Sequence, residues 1–421
     1  MISNIEQAIN YLFNLRRFGV KYDILPVMSC LRILGNPQKS FPSIHVAGTN
    51  GKGSTCGIIN TLFMAHGFKT GLFTSPHLTR FSERIQINGN EISDIEILEY
   101  LNQIISTDVE LSFFETATVM AMLHFSKNRI DFAVIETGLG GRLDATRVCE
   151  SDIQVITSIE NDHPIALTTS LVKIAWEKAG IFSYNSTVVL PEFPSDIQSV
   201  ISRRAHASGS HILQLNRDFH VSHQGEQLVK YFDDSGDFIF KAPLVGNFQY
   251  KNIALGITAF IKATGIQCTD ISPSSFSHFN WPGRFERIEN FILDGAHNPA
   301  AAKSLVDILE SMKIDKINLI IGGMADKNLK DFIITLRDHI HGYYVTAINS
   351  DRAMPPDKLA LSISEIGGEV LGVHSDIELL IDSLRGKETV LVSGSFYLVG
   401  KVRSILLGIR DDSLFLTDPS T

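Results

Sequence analysis

The stretch Ile44-His45-Val46-Ala47-Gly48-Thr49-Asn50-Gly51-Lys52-Gly53-Ser54 constrains this chain more than any other. A short apolar run reads as a strand, breaks at glycines and enters a helix running from about Ser54 to Ala65. Such a turn aims backbone N–H groups and a helix N-terminus at one point, which suits a phosphate chain. Lys52 adds a point charge for the outer phosphates and Ser54 a hydroxyl for Mg²⁺, so Asn50, Gly51, Lys52, Gly53 and Ser54 are the candidate contacts. The spacing departs from GxxxxGK(S/T): the loop is one residue shorter, and Gly53 separates Lys52 from Ser54. A purely structural glycine turn is the alternative; the lysine and serine favour a nucleoside triphosphate.

At 421 residues the chain is expected to hold two or three domains, on a scale of roughly 150 residues each. No apolar run approaches the ~20 residues of a membrane span. Glu6 early and Arg16-Arg17 late do not make the charged-then-apolar order of a signal peptide. Cys30, Cys56, Cys149 and Cys268 form no CxxC pair, so neither zinc nor a disulfide framework is implied and a reduced, cytoplasmic protein is expected. The net charge of −9 argues against a general nucleic-acid binder but leaves room for anionic small substrates held by local basic groups.

Before the loop, Ile5, Ala8, Ile9, Leu12 and Leu15 recur at helical spacing, a packing stripe. After it, a strand at 69–73 ends in Thr74-Ser75-Pro76-His77-Leu78, which the open α/β arrangement turns toward the loop. Ser75 is either a ligand there or a turn residue before proline. Glu83 to Asn88 alternates like a strand. Ser112-Phe113-Phe114-Glu115 precedes a helix to about Ser126, and its adjacent aromatics either pack or sandwich a flat heterocycle. The strand 131–136 ends in Glu136, an acid placed as a Mg²⁺ ligand, with a structural salt bridge as the alternative. Glycines follow, then Arg142, which either clamps an anion or pairs with Asp144. A further strand delivers Glu160 and His163 to the same rim. Lys178, in the last turn of a helix, reads by itself as a dipole complement. Asp233 to Asp237 marks a tight turn, and the Ser- and Pro-rich stretch Pro273 to Pro282 is placed as the domain linker. Past Arg284, alternating strands (318–321, 343–348, 369–373, 389–393) and helices predict a smaller parallel-sheet domain. Asp411 to Thr421 reads as a loose tail.

The motifs GTNGKGS (48–54), TSPHL (74–78), SFFE (112–115), ETGLGGRLDAT (136–146), EKAGI (177–181), WPGRFE (281–286), LDGAHNP (293–299) and SGSFYLVG (393–400) occur in one order. With them the chain resembles the dihydrofolate synthase/folylpolyglutamate synthase family, relatives of the Mur ligases. The resemblance implies an α/β fold with a P-loop NTPase-like parallel-sheet domain (1–280) and a smaller Rossmann-like glutamate-ligase domain (285–421). It implies an ATP-dependent amide ligase working through an acyl phosphate, with L-glutamate, dihydropteroate and reduced folates as substrates. Lys52 and Ser54 then hold phosphates, and Ser75 and Glu136 ligate one Mg²⁺. His163 serves a second Mg²⁺, and Lys178 matches a lysine carbamylated by CO₂. Asn252, Arg284 and Asp294 match ATP contacts across the domain junction, with His297 beside them among the catalytic candidates. Ser112, Phe113, Phe114 and Glu115 with Leu143, Asp144 and Ala145 match the dihydropteroate site, which implies the bifunctional type. The sequence departs from the family pattern at 162–169 and at Arg147. A monofunctional folylpolyglutamate synthase is the nearest alternative. A Mur ligase acting on a nucleotide-linked peptide needs an N-terminal domain that the about 40 residues before the loop do not supply. A GTPase switch needs an Asn-Lys dipeptide, and none occurs. No motif announces an interface, so a monomer is expected.

Overall fold

The computed structural model describes residues 2–15, 23–160, 170–225, 227–325, 328–350 and 353–412. The strand before the glycine turn, β1 (Ser43–Ala47), is buried along its whole length. It lies in an eight-stranded sheet with β2 (Thr70–Phe73), β3 (Ile85–Ile87), β4 (Asn90–Glu91), β5 (Phe132–Glu136), β6 (Ile153–Ile156), β7 (Thr187–Leu190) and β8 (His211–Gln214). The spatial order is β4-β3-β2-β5-β1-β6-β7-β8. All neighbours pair in parallel except the antiparallel edge formed by β3 and β4. Helices cover both faces, which is why the central strands read as apolar runs rather than alternating ones. β1, β5 and β6 therefore deliver their carboxyl ends side by side, and the site forms there.

A three-stranded antiparallel sheet follows, β9 (Phe219–Gly225), β10 (Leu228–Asp233) and β11 (Gly236–Lys241), with the expected tight turn pairing Asp233 with Gly236. Tyr231, Phe238 and Phe240 join Phe63 and Phe260 in the same core as β1. The second sheet holds β12 (Glu286–Ile288), β13 (Phe291–Leu293), β14 (Ile317–Ile321), β15 (Ile340–Thr346), β16 (Val370–His374) and β17 (Val390–Ser393), ordered β12-β13-β17-β14-β15-β16. Only β12 is antiparallel to its neighbour. Among the described residues no helix is long and apolar enough to cross a membrane.

Four local expectations shift. The loop helix begins at Lys52, because Gly51 at φ 85° serves as its N-cap. Glu83 lies in a short 3₁₀ turn (Phe81–Arg84) and not in a strand, because its carboxylate accepts the N–H groups of Leu78, Thr79 and Arg80 at 2.7, 3.1 and 3.0 Å. The Pro273 to Pro282 stretch is anchored: Phe276 enters the first core and Trp281 lies flat against the loop helix. Asp412 is buried and bonded to the first domain, so the tail is fixed at least that far.

Trp281 explains two glycines of the loop helix. A Cβ at Gly53 would stand 3.2 Å from the indole, and one at Gly57 only 2.4 Å. Gly57→Val is expected to destabilise the protein by about 1–3 kcal/mol through overpacking. The urea midpoint measures this, and adding Trp281→Ala should recover part of the loss.

Candidate active site

The glycine loop is held by the rim of β6. Ser158 Oγ accepts from the Asn50 amide at 2.8 Å, Thr157 Oγ1 donates to the Asn50 carbonyl at 2.6 Å, and the Thr49 amide donates to the Ser158 carbonyl at 3.0 Å. The Asn50 side chain donates to the Glu160 carboxylate. A Cβ at Gly51 would come within 2.5 Å of Asn252 Oδ1, so only glycine permits both the φ and the approach. Lys52 Nζ folds back onto the carbonyls of Gly48 and Thr49 at 3.1 and 3.3 Å. The loop thus presents a cationic amine and a helix N-terminus to one cavity.

Glu136 ends β5 and is 3% exposed. Its Oε2 accepts from the Ser75 amide at 3.1 Å. Burial pushes the carboxyl up to about 7; Lys52, the Ser75 amide, Arg284 and Arg84 offset this only in part. Lys178 ends the helix Leu171–Lys178 and is 4% exposed, against the same cavity. Gly141 makes room beside it, since a Cβ there would press on the carbonyls of Glu177 and Lys178 at 2.7 and 2.9 Å. Arg142 neither pairs with Asp144 nor enters the cavity; its guanidinium meets Glu177 at 3.1 Å. Arg147 braces the turn after Lys178, donating to the Gly180 and Phe182 carbonyls at 2.9 and 3.1 Å.

The second sheet closes the other side. The Arg284 guanidinium lies 4.7 Å above the Phe396 ring, with Asp294 and Glu136 both favouring its charge. Asp294, at the end of β13, accepts the amides of Phe285 and Ala296, each at 2.9 Å, and so shapes the turn carrying His297. His297 Nδ1 donates to the Gly295 carbonyl at 2.9 Å. Asn298 caps the helix Pro299–Ser311 and also donates to Asn50 Oδ1 at 3.3 Å, a hydrogen bond between the two halves of the molecule.

The cavity, about 130 Å³ and open to solvent, is lined by Asn50, Gly51, Lys52, Gly53, Ser75, Glu136, Lys178, Arg284 and His297 among the sequence candidates. Ser54, Asn252 and Asp294 are buried and do not line it. His163 lies outside the described residues. Sequence reasoning gave no role to Asn298, Phe396 or Tyr397, although they sit in the quoted motifs; their signal is a strand end running into a capped helix.

The dihydropteroate candidates do not line the cavity themselves, although Phe114 packs on Gly138, which does, and local chemistry accounts for several of their contacts. Ser112 and Glu115 form a reciprocal capping box for the helix Phe113–Lys127. Phe113 is fully buried, stacked on Phe13 at 5.2 Å and under the Arg84 guanidinium at 5.1 Å, and presents no surface to a ligand. Phe114 is half-buried, with its ring where a Cβ on Gly138 would be, 2.6 Å away. Asp144 caps the turn Ala145–Val148, accepting from the amides of Thr146 and Leu139 at 3.0 and 2.8 Å. Leu143 and Ala145 flank it, and none of the seven lines the cavity. Among the described residues no group of three His, Cys, Asp or Glu side chains is placed to hold a metal.

The Mur ligase middle domain matches residues 46–260, and the Mur ligase glutamate ligase domain matches residues 283–396. The folylpolyglutamate synthase of Lacticaseibacillus casei is 32% identical over 96% of this chain and 99% of its own. Escherichia coli FolC in complex with DHPP and ADP superimposes with a TM-score of 0.86 at 29% identity, over 96% of this chain and 98% of its own. The bifunctional folylpolyglutamate synthase/dihydrofolate synthase of Yersinia pestis complexed with AMPPNP and Mn ion gives a TM-score of 0.86 at 27% identity, over 97% and 98%.

Glu136 makes a pH prediction for the metal-free protein. Its folded pKa of about 7 lies above the ordinary 4.5, so the folded state keeps a proton that the unfolded chain has released. Its contribution to stability therefore falls as pH rises from about 4.5 to about 7. In EDTA, Glu136→Gln is expected to gain on the wild type across that window in urea unfolding. Parallel curves would refute the burial argument.

Proposed function

The chain belongs to the Mur ligase superfamily, in its dihydrofolate synthase/folylpolyglutamate synthase family of amide-forming ligases, and we propose that it joins L-glutamate to 7,8-dihydropteroate and to the glutamyl tail of reduced folates, driven by ATP. One observation carries the reading. A phosphate-type loop, a buried acid and a buried lysine line a cavity whose other wall, with Arg284 and His297, comes from the second sheet. The working division is 1–280 for nucleotide and 285–421 for glutamate.

In this reading the N–H groups at the start of the loop helix and Lys52 hold the phosphates, and Lys52 exchanges its loop carbonyls for phosphate oxygens. Arg284 adds positive charge from the second domain, and Asn298 keeps that domain registered on Asn50. Closure of the two walls keeps water from the acyl phosphate until the glutamate amine attacks it. Asn252 supports the loop at Gly51 from behind, and Asp294 orients the turn that carries His297. Half-buried Phe114 is the aromatic available to a pterin.

The donor chemistry fits a divalent cation. Glu136 is a buried carboxylate whose charge is incompletely offset, and Ser75 supplies a neighbouring hydroxyl, hard oxygen donors of the kind Mg²⁺ takes. Bound Mg²⁺ would offset the repulsion between phosphate oxygens and the substrate carboxylate. For a second ion we assign His163 and Lys178. Addition of CO₂ to the neutral Lys178 amine with loss of one proton gives a carbamate, which puts an anionic oxygen donor where the bare chain has a basic nitrogen. A cytoplasmic monomer is the proposed form, and a stable dimer in sedimentation would overturn that part.

Phosphate release from ATP with Mg²⁺ and L-glutamate tests the reading. Release with both 7,8-dihydropteroate and a reduced monoglutamyl folate, with glutamate incorporated, is expected. Release with the folate alone would favour the monofunctional alternative, and release with neither would refute the function. Lys178→Ala is expected to lose about 100-fold or more in turnover. A small carboxylate-like anion should restore part of it.

A further inference from the structure

The loop Thr74–Arg84 belongs to the first domain in sequence but is held by the second. Its neck is closed by the Thr74 amide donating to the Arg84 carbonyl at 3.0 Å. On one limb, Ser75 and His77 line the cavity, and the Ser75 amide holds Glu136. On the other limb, Leu78 is 6% exposed and buried in the second domain's core with Phe291, Leu293, Val392 and Val399. The fit has no slack. A Cβ on Gly400 would lie 1.9 Å from the Leu78 carbonyl oxygen, and one on Gly283 would lie 3.0 Å from its side chain.

Two carboxylates make the plug rigid. Glu83 gathers the amides of Leu78, Thr79 and Arg80, together with the Thr79 hydroxyl, onto one side chain. Asp412, near the far end of the chain, accepts from the Phe81 amide at 3.1 Å while its own amide donates to the Thr79 carbonyl at 2.7 Å. Only Pro76 and His77 separate the plug from Ser75, and neither adds much freedom: proline fixes its φ, and His77 accepts from Arg84 at 2.8 Å. The chain between the Leu78 plug and Ser75 therefore has little slack.

We propose that Leu78, Glu83 and Asp412 are positioning residues through which the second domain holds Ser75 against Glu136, so that the cation end of the cavity is complete only while the Leu78 plug is seated. The inference rests on the ligase reading for the identity of cation and nucleotide. It adds a route by which domain position controls the site through a loop of the first domain.

The test titrates Mn²⁺ by electron paramagnetic resonance, with AMPPNP present, into full-length wild type, Leu78→Ala, Leu78→Met and Asp412→Ala. Hydrogen exchange of peptides spanning 74–84 is followed alongside. Leu78→Ala and Asp412→Ala are each expected to weaken Mn²⁺ binding about tenfold, as loss of an outer-shell support does. Exchange at 74–84 should rise while the strands at 291–293 and 390–393 stay protected, and Leu78→Met should behave as wild type. Unchanged Mn²⁺ affinity in the folded variants would overturn the proposal, as would faster exchange spread through both strands. Asp412 lies outside either hydrophobic core, so its variant carries the test if Leu78→Ala does not fold. Wild type that binds Mn²⁺ and AMPPNP but never releases phosphate with folate would fail the ligase reading alone; wild type that binds no Mn²⁺ would overturn both.

Discussion

A carboxyl group buried at the end of β5 organises this molecule. Ionising Glu136 there is unfavourable unless positive charge is brought to it, and the surrounding elements do so from several directions. Lys52 comes from the loop after β1, Arg84 from the edge of the sheet and Arg284 from the second domain. None of these closes the deficit, which is the physical reason a cation belongs at this point. Parallel pairing of β1, β5 and β6 makes the convergence possible, because it sets their carboxyl ends on one rim.

Two domains share one site, and the seam between them is built by close approach more than by charge. Trp281 presses on the loop helix where glycines leave room, and Leu78 enters the second core where Gly400 leaves room. Asn298 spans from its own helix cap to Asn50. Packed contacts of this kind resist sliding and favour discrete arrangements, since a close-packed interface does not deform continuously. A seam of that type allows closure to be coupled to chemistry.

The motif SFFE shows how a sequence signal and its physical cause can differ. Ser112 and Glu115 are spent on a capping box, and Phe113 on a core with Phe13 and Arg84, so most of that motif is explained by folding the helix. Likewise Asp144 holds its loop through backbone amides. SFFE was legible as two aromatics at a helix start, and Asp144 as an acid in the glycine loop after β5. Which of their faces meets a ligand was not, because a capping residue and a binding residue look alike until the neighbours are known.

The sequence by itself determined the strand–glycine–helix loop, the acid ending β5, the βαβ rhythm of the second sheet and the packing stripe of the first helix. Each is a local pattern, set by period, turn chemistry or residue type within a few positions. Only the tertiary structure decided that Glu83 clamps a turn, that Arg142 meets Glu177, that Asp412 returns to the first domain and that Leu78 lives in the second core. Those contacts join residues distant in the chain, and nothing in the spacing of either partner names the other. Burial decided the charge state of Glu136 in the same way, since the dielectric around a side chain is a property of everything packed against it.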